Sequence, residues 1–204
     1  AALLLDLDRT LVDVESAVDY CAALAELKAE FPAGVPAATP DTSGWGTCTK
    51  EVIARLVGLA GTEQYPAAAA LVARHELVGA PEAVAMPGLA SFMERIADRP
   101  KAIVTLLGPE ATDLVLRQHG IAVDVVVARR PDLKPKPFPD QLEEGLQRLG
   151  ASAETATMVG DSATDLQAAR AAGVAFIAVT NGRKTQEFGS SPTATDLAEL
   201  GSRL

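Results

Sequence analysis

The stretch Ala1-Ala2-Leu3-Leu4-Leu5-Asp6-Leu7-Asp8-Arg9-Thr10-Leu11-Val12-Asp13 decides how the rest of the chain is read. It is a short apolar run that ends in acids, the pattern of a parallel strand buried on both faces whose C-terminal end opens onto a site. Asp6 and Asp8 stand two apart, so a regular strand would point both side chains the same way. Two like charges that close need a cation, or a proton held on one of them. An isolated pair of this kind also fits a solvated turn.

Four similar runs follow: Lys101 to Leu107, Val123 to Ala128, Ala156 to Gly160 and Ala175 to Thr180. Between and beside them, Leu89 to Ala97, Pro109 to His119, Asp140 to Leu149 and Thr164 to Ala172 carry apolar residues at helical spacing. Strand and helix therefore alternate, which predicts an α/β fold with a doubly wound parallel sheet. From Val14 to Met86 no strand-like run is found. Helical spacing at Ala17, Tyr20, Cys21, Leu24, Leu27 and Phe31, then Lys50 to Leu59 and Pro66 to Val78, predicts an inserted helical module. Pro32 to Thr49 reads as an irregular loop. The expected division is a core of residues 1–13 and 87–204 and a cap of residues 14–86.

Composition narrows the function. The chain has 204 residues, 48% of them hydrophobic and 22% charged, enough to bury a core without disulfides or structural metal. A net charge of -9 disfavours nucleic acid and anionic membrane as partners. No apolar run is long enough to cross a bilayer, and no signal-peptide pattern precedes the first strand. Because Ala1 already stands inside a strand-like run, a short preceding segment is expected. Cys21 and Cys48 form no C-x-x-C pair and no secreted framework, so a reducing cytoplasm is the natural expectation. With only His75 and His119 present, in no metal-ligand spacing, chemistry should rest on carboxylates.

Three further segments complete a candidate site. Val159-Gly160-Asp161-Ser162-Ala163-Thr164-Asp165 puts a second pair of acids at a strand end, and oxygen ligands of this kind suit Mg²⁺. Each acid alone also fits a helix cap. Thr105, followed by Leu106, Leu107 and Gly108, offers a hydroxyl and backbone N–H groups where a helix begins, a place that favours anions. Lys134-Pro135-Lys136-Pro137-Phe138-Pro139 is stiffened by proline and can hold an ammonium in place; by itself it reads as a loop.

As a set, these residues resemble the haloacid dehalogenase-like hydrolase superfamily, over nearly the whole chain. Asp6 to Asp13 is similar to its first motif, D-x-D-G-T-L-V-D, with Arg9 where glycine is usual. Thr105 is similar to the second motif's hydroxyl residue, with Leu106 where Asn is common. Lys136-Pro137-Phe138-Pro139 is similar to the third motif, K-P-x-P, for which Lys134 is the alternative start. Gly160 to Asp165 is similar to the fourth.

The resemblance implies a Rossmann-like core with a helical cap, of the phosphoglycolate phosphatase-like subgroup. It further implies a Mg²⁺-dependent phosphatase for a small phosphorylated metabolite. Asp6 would be the nucleophile, Asp8 the acid and base, and Thr105 and Lys136 would hold the phosphoryl oxygens. Asp6, Asp161 and the Asp8 backbone carbonyl would hold Mg²⁺, with Asp165 in support. Substrate contacts are expected from Arg9, Thr10 and Leu106, and from Trp45 and Lys50 in the cap. Trp45 also fits packing between cap helices, and Lys50 and Arg9 also fit solvated positions. A phosphosugar mutase of the same superfamily, or a relative without turnover, would keep the same motifs. The chain is expected to be a monomer or homodimer.

Overall fold

The computed structural model of the chain describes residues 1–34, 36–40, 44–183 and 188–204. Its centre is strand β1, Ala2–Leu5, with all four residues buried. Leu3 and Leu5 pack into one hydrophobic cluster, and Ala2 and Leu4 into another on the opposite face. This is the two-residue alternation of a strand covered on both sides.

The chain then forms β2 (Val12–Asp13), α1 (Tyr20–Glu30), α2 (Thr47–Leu59), α3 (Tyr65–Gly79), β3 (Val84–Ala85) and α4 (Leu89–Arg95). There follow β4 (Lys101–Val104), α5 (Pro109–Gln118), β5 (Val125–Val127), α6 (Asp140–Leu149), β6 (Ala156–Gly160), α7 (Ala163–Ala171), β7 (Ala175–Val179), β8 (Thr193–Ala194) and α8 (Leu197–Arg203). Six strands make a parallel sheet in the order β5-β4-β1-β6-β7-β8. One face carries α6 and α7 through Leu142, Leu146, Leu166 and Ala169, and the other carries α4, α5 and α8 through Phe92, Val115 and Leu200. The fold is α/β and Rossmann-like. From β1 the chain builds β4 and β5 on one side and then crosses to β6, β7 and β8 on the other, so a crevice opens at the C-terminal end of β1, where such sheets bind ligands.

α1, α2 and α3 pack on one another and form the helical cap. Asp19 caps α1 by accepting the Ala22 N–H at 2.9 Å, and Pro66 starts α3, where its missing N–H costs nothing. The loop expected over 32–49 ends earlier, because α2 begins at Thr47. Residues 35 and 41–43 of that loop lie outside the described residues.

Two expectations need correction. The segment 14–86 holds a strand after all: β3 pairs antiparallel with β2, Val12 opposite Ala85 and Asp13 opposite Val84. Two residues are too few to show alternation, and both residues of β3 are exposed. The second concerns the cysteines. Cys21 and Cys48 are joined in a disulfide across the first turns of α1 and α2, with Cα atoms 5.1 Å apart. Their spacing of 27 residues matches no sequence motif, and only the packing of two helices brings them together. Such bonds persist in oxidising compartments, so the cysteines lend no support to a reducing one.

Candidate active site

The ends of β1, β4 and β6 deliver the site. The Asp6 N–H still donates to the Val159 carbonyl at 2.9 Å, so this residue is held as firmly as the strand itself. Its two carboxylate oxygens are taken separately. Lys136 Nζ donates to Oδ1 at 2.8 Å and the Thr10 hydroxyl donates to Oδ2 at 2.8 Å. Thr10, expected among the substrate contacts, is fully buried and positions Asp6.

Lys136 has three donors and uses all of them, on Asp6 Oδ1, on Asp165 Oδ1 at 2.6 Å and on the Val104 carbonyl at 2.9 Å. Lys134 is exposed and lies over the Phe138 ring, 5.1 Å from its centroid. The ammonium in the site is therefore that of Lys136. Asp165 also accepts the Ser162 N–H and hydroxyl on Oδ2, in a capping box that starts α7. Its carboxyl group lies against Gly160, where a Cβ would fall 2.5 Å from it. Only glycine leaves room for that approach.

Asp8 leaves the strand and turns toward the cap. Its Oδ1 accepts the N–H groups of Val14 and Glu15 at 2.8 and 2.9 Å, where the chain enters the cap. Its carboxylate is not in the Asp6, Asp161 and Asp165 group; the backbone carbonyl was the ligand expected of it. Thr105 is fully buried at the end of β4, its hydroxyl accepting the Leu107 N–H at 3.2 Å. Arg9 adopts a left-handed φ of 62°, the conformation for which glycine is favoured, and its guanidinium contacts Glu15 and the Gly44 carbonyl. Arg9 Nε stands 3.8 Å from Asp161 Oδ2.

A cavity, part of it open to solvent, lies between these strand ends and the cap. Trp45, Leu106, Tyr20, Thr49 and Ile53 line it together with the acids. Lys50 is not among the lining residues.

Several residues here carry no sequence signal. Gln141, fully buried, accepts the Lys136 N–H at 3.2 Å and donates to the Thr105 carbonyl at 2.9 Å, tying two motifs together. Arg183 donates to Asp161 Oδ2 at 2.7 Å. Glu76, from α3 of the cap, receives Arg129 on both oxygens at 2.9 Å and the Gly108 N–H at 2.8 Å. Glu76 could have been suspected only as an acid among the apolar positions of α3, and Gln141 as an amide on the buried side of α6.

Burial sets the electrostatics. It pushes the Asp6 carboxyl up to about 6 even though Lys136 opposes the shift, and pushes Asp161, with Asp6 beside it, up to about 8. Asp8 is likewise raised well above the ordinary carboxylate range by burial. Burial works against the charge on Lys136, but Asp165 and Asp6 outweigh it and hold its pKa above the usual value.

Residues 3–179 match the profile described as haloacid dehalogenase-like hydrolase. The chain belongs to this family. Among curated haloacid dehalogenase-like relatives, a phosphoglycolate phosphatase of Chromobacterium violaceum is 41% identical over 93 residues, 45% of this chain and 40% of that protein. Another, of Mesorhizobium japonicum, is 36% identical over 101 residues, 45% of this chain and 42% of that protein. The matched stretches thus span about two fifths of these relatives. Among solved structures, CbbY of Rhodobacter sphaeroides, in complex with phosphate, superposes with a TM-score of 0.71 at 20% identity, covering 100% of this chain and 99% of that one. A hydrolase of Pseudomonas syringae superposes with a TM-score of 0.72 at 21% identity, covering 99% and 96%.

In this haloacid dehalogenase-like site, ligand oxygens of Asp6, Asp161 and Asp165 lie within 4.8 Å of one another, all three residues buried. The donor set is all oxygen, which fits a hard divalent cation. The raised pKa values of Asp6 and Asp161 come first from burial and then from the neighbouring carboxylates, and a bound cation would oppose both effects. Asp165 is the most engaged of the three, with three described donors, Lys136 and the Ser162 N–H and hydroxyl, against two on Asp6 and one on Asp161.

Proposed function

We propose that this chain is a Mg²⁺-dependent phosphatase acting on a small phosphomonoester, with residues 14–86 serving as the cap over a core of residues 1–13 and 87–204. One observation carries the reading. Asp6, Asp8, Thr105, Lys136 and Asp165 face a cavity that helices cover, and Asp161 stands beside Asp6 and Asp165 at the same strand ends.

Asp6 attacks phosphorus while the bond to the leaving oxygen breaks, and Asp8 gives that oxygen its proton. Asp8 then takes a proton from the water whose oxygen attacks the phosphoryl group on Asp6, freeing phosphate and restoring the carboxylate. Burial raises the Asp8 pKa and so favours the protonated form that the first step needs. Lys136 holds Asp6 in line, and Thr105 with the N–H groups after it stabilises the phosphoryl oxygens. The cap lowers access of bulk water. Asp6, Asp161 and the Asp8 carbonyl would hold Mg²⁺, which supplies positive charge against the ester and the acids when bound. The family relationship and the phosphoglycolate phosphatase relatives support a phosphoric monoester as substrate. A reducing cytoplasm is no part of the proposal, given the Cys21–Cys48 bond.

The test is phosphate release from a panel of small phosphomonoesters with Mg²⁺, with EDTA, and with Asp6→Asn. Metal-dependent release that the variant loses, without any sugar bisphosphate primer, supports the phosphatase and separates it from a mutase. A folded protein that releases no phosphate from any ester refutes the reading.

A further inference from the structure

The cavity has a chemical sign that bears on which ester it takes. Among the described residues that line it are five carboxylates, Asp6, Asp8, Glu15, Glu76 and Asp165, and one cation, Lys136. Lys136 is fully committed at the reacting end. Three arginines stand near the wall, each paired with an acid, and Arg183 is held by Asp161 Oδ2 at 2.7 Å. Arg9 contacts Glu15 and the Gly44 carbonyl, while Arg129 uses its terminal nitrogens on Glu76 and on the carbonyls of Leu106 and Ala69. On the cap side the described lining is Glu15 and Glu76 with the uncharged Tyr20, Trp45, Thr49 and Ile53, and it holds no cation.

The carboxylates of the upper cavity differ in what they can still accept. Each carboxylate oxygen takes about two donors. Glu76 is saturated: Oε1 receives Arg129 and, at 3.4 Å, the Tyr20 hydroxyl, and Oε2 receives Arg129 and the Gly108 N–H. Glu15 holds one described donor on each oxygen, Arg9 on Oε2 and the Gly46 N–H on Oε1 at 2.9 Å, and so keeps room for a donor on either. A leaving group with a hydroxyl can give that donor. A leaving group with a carboxylate brings only acceptors and a second negative charge into a largely covered space whose described lining already holds more acids than cations, where an unpaired charge is costly.

We infer that the cap selects phosphate esters whose leaving alcohol bears a further hydroxyl group, and rejects those bearing a carboxylate such as 2-phosphoglycolate. This rests on the phosphatase reading and names its substrate class.

The decisive pair is 2-hydroxyethyl phosphate and 2-phosphoglycolate, which differ in having a hydroxymethyl or a carboxylate at the same position. Their affinities for the Asp6→Asn protein with Mg²⁺, by titration calorimetry, report selection without turnover, and kcat/KM of the native protein reports it with turnover. We expect the hydroxyethyl ester to be favoured by at least about tenfold in affinity, the order that one net hydrogen bond supplies. Ile53→Arg or Thr49→Lys, each placing a cation on the cap wall, should shift the ratio toward 2-phosphoglycolate by a similar factor. Equal or tighter binding of 2-phosphoglycolate, binding of neither ester, or an unchanged ratio in both folded variants overturns the inference. Retained preference in binding with no turnover of either ester leaves selection standing and refutes the phosphatase.

Discussion

Glu76 on cap helix α3 and Arg129 just beyond β5 form a two-pronged ion pair at 2.9 Å on each prong, both side chains 1% exposed. The pair joins the cap to the loop that follows β5, and Arg129 also donates to the Leu106 carbonyl in the loop after β4. Glu76 also receives the Gly108 N–H, and a Cβ on Gly108 would fall 2.7 Å from Ala73 and 3.2 Å from Glu76 Oε2. The cap is thus seated directly on the N-terminus of α5.

Removing one partner strands the other. Glu76→Ala or Arg129→Ala should each destabilise the protein by about 3–5 kcal/mol, read as a lower urea midpoint. The double replacement Glu76→Leu with Arg129→Met should cost much less than the two single changes added together, because no lone charge is left buried. A double variant as unstable as that sum would mean the pair holds the cap by geometry that apolar groups cannot replace.

Lys136 and Lys134 stand two apart and should behave oppositely. Lys136→Ala leaves Asp6 and Asp165 without their shared ammonium, so the nucleophile loses its fixed place, and should lower kcat by about 10²–10³, the size of effect seen when one preorganised charged contact is removed from a reacting centre. Lys134→Ala, at an exposed position, should leave kcat within about twofold of the parent, since surface changes away from such groups stay near ±0.5 kcal/mol. Steady-state phosphate release on both variants checks this.

The pKa shifts fix the sign of a pH effect. Asp6 rises from 3.8 unfolded to about 6 folded, and Asp161 from 3.8 to about 8. The native state binds more protons, so this contribution to stability is fully present below 3.8 and is lost as pH rises through 6 and then 8. Metal-free protein should therefore lose thermal stability across that window. Mg²⁺ binds the ionised acids, so its stabilising shift in Tm should grow as pH rises over the same range. Melting curves in EDTA and in Mg²⁺ at several pH values measure both slopes; a Mg²⁺ shift independent of pH would contradict the assignment of these acids.

The Cys21–Cys48 bond closes a separation of 27 residues, for which chain entropy gives a stabilisation of about 3 kcal/mol. Cys21→Ser, or added reductant, should lower the unfolding midpoint accordingly. A midpoint that reductant does not change would show that the bond contributes nothing to stability.

Much of this was legible before any coordinates. The apolar runs at Leu3 to Leu5 and Ala156 to Gly160, with helices at 109–118 and 140–149 between them, gave the parallel sheet because buried strands and amphipathic helices write their periods locally. Asp6, Thr105, Lys136 and Asp161 were legible because each lies at or just past a strand end, or in a proline-stiffened loop, where the βα topology must bring them together. What stayed hidden depends on contacts between distant segments. Glu76 and Arg129 are 53 residues apart, and neither stands in a pattern of its own. Cys21 and Cys48 meet only because α1 packs on α2. Local period and strand-end chemistry belong to the sequence. The sign of the cavity, the partner of each buried charge and the choice between Lys134 and Lys136 were decided by packing, because burial and pairing are properties of neighbours in space and not in the chain.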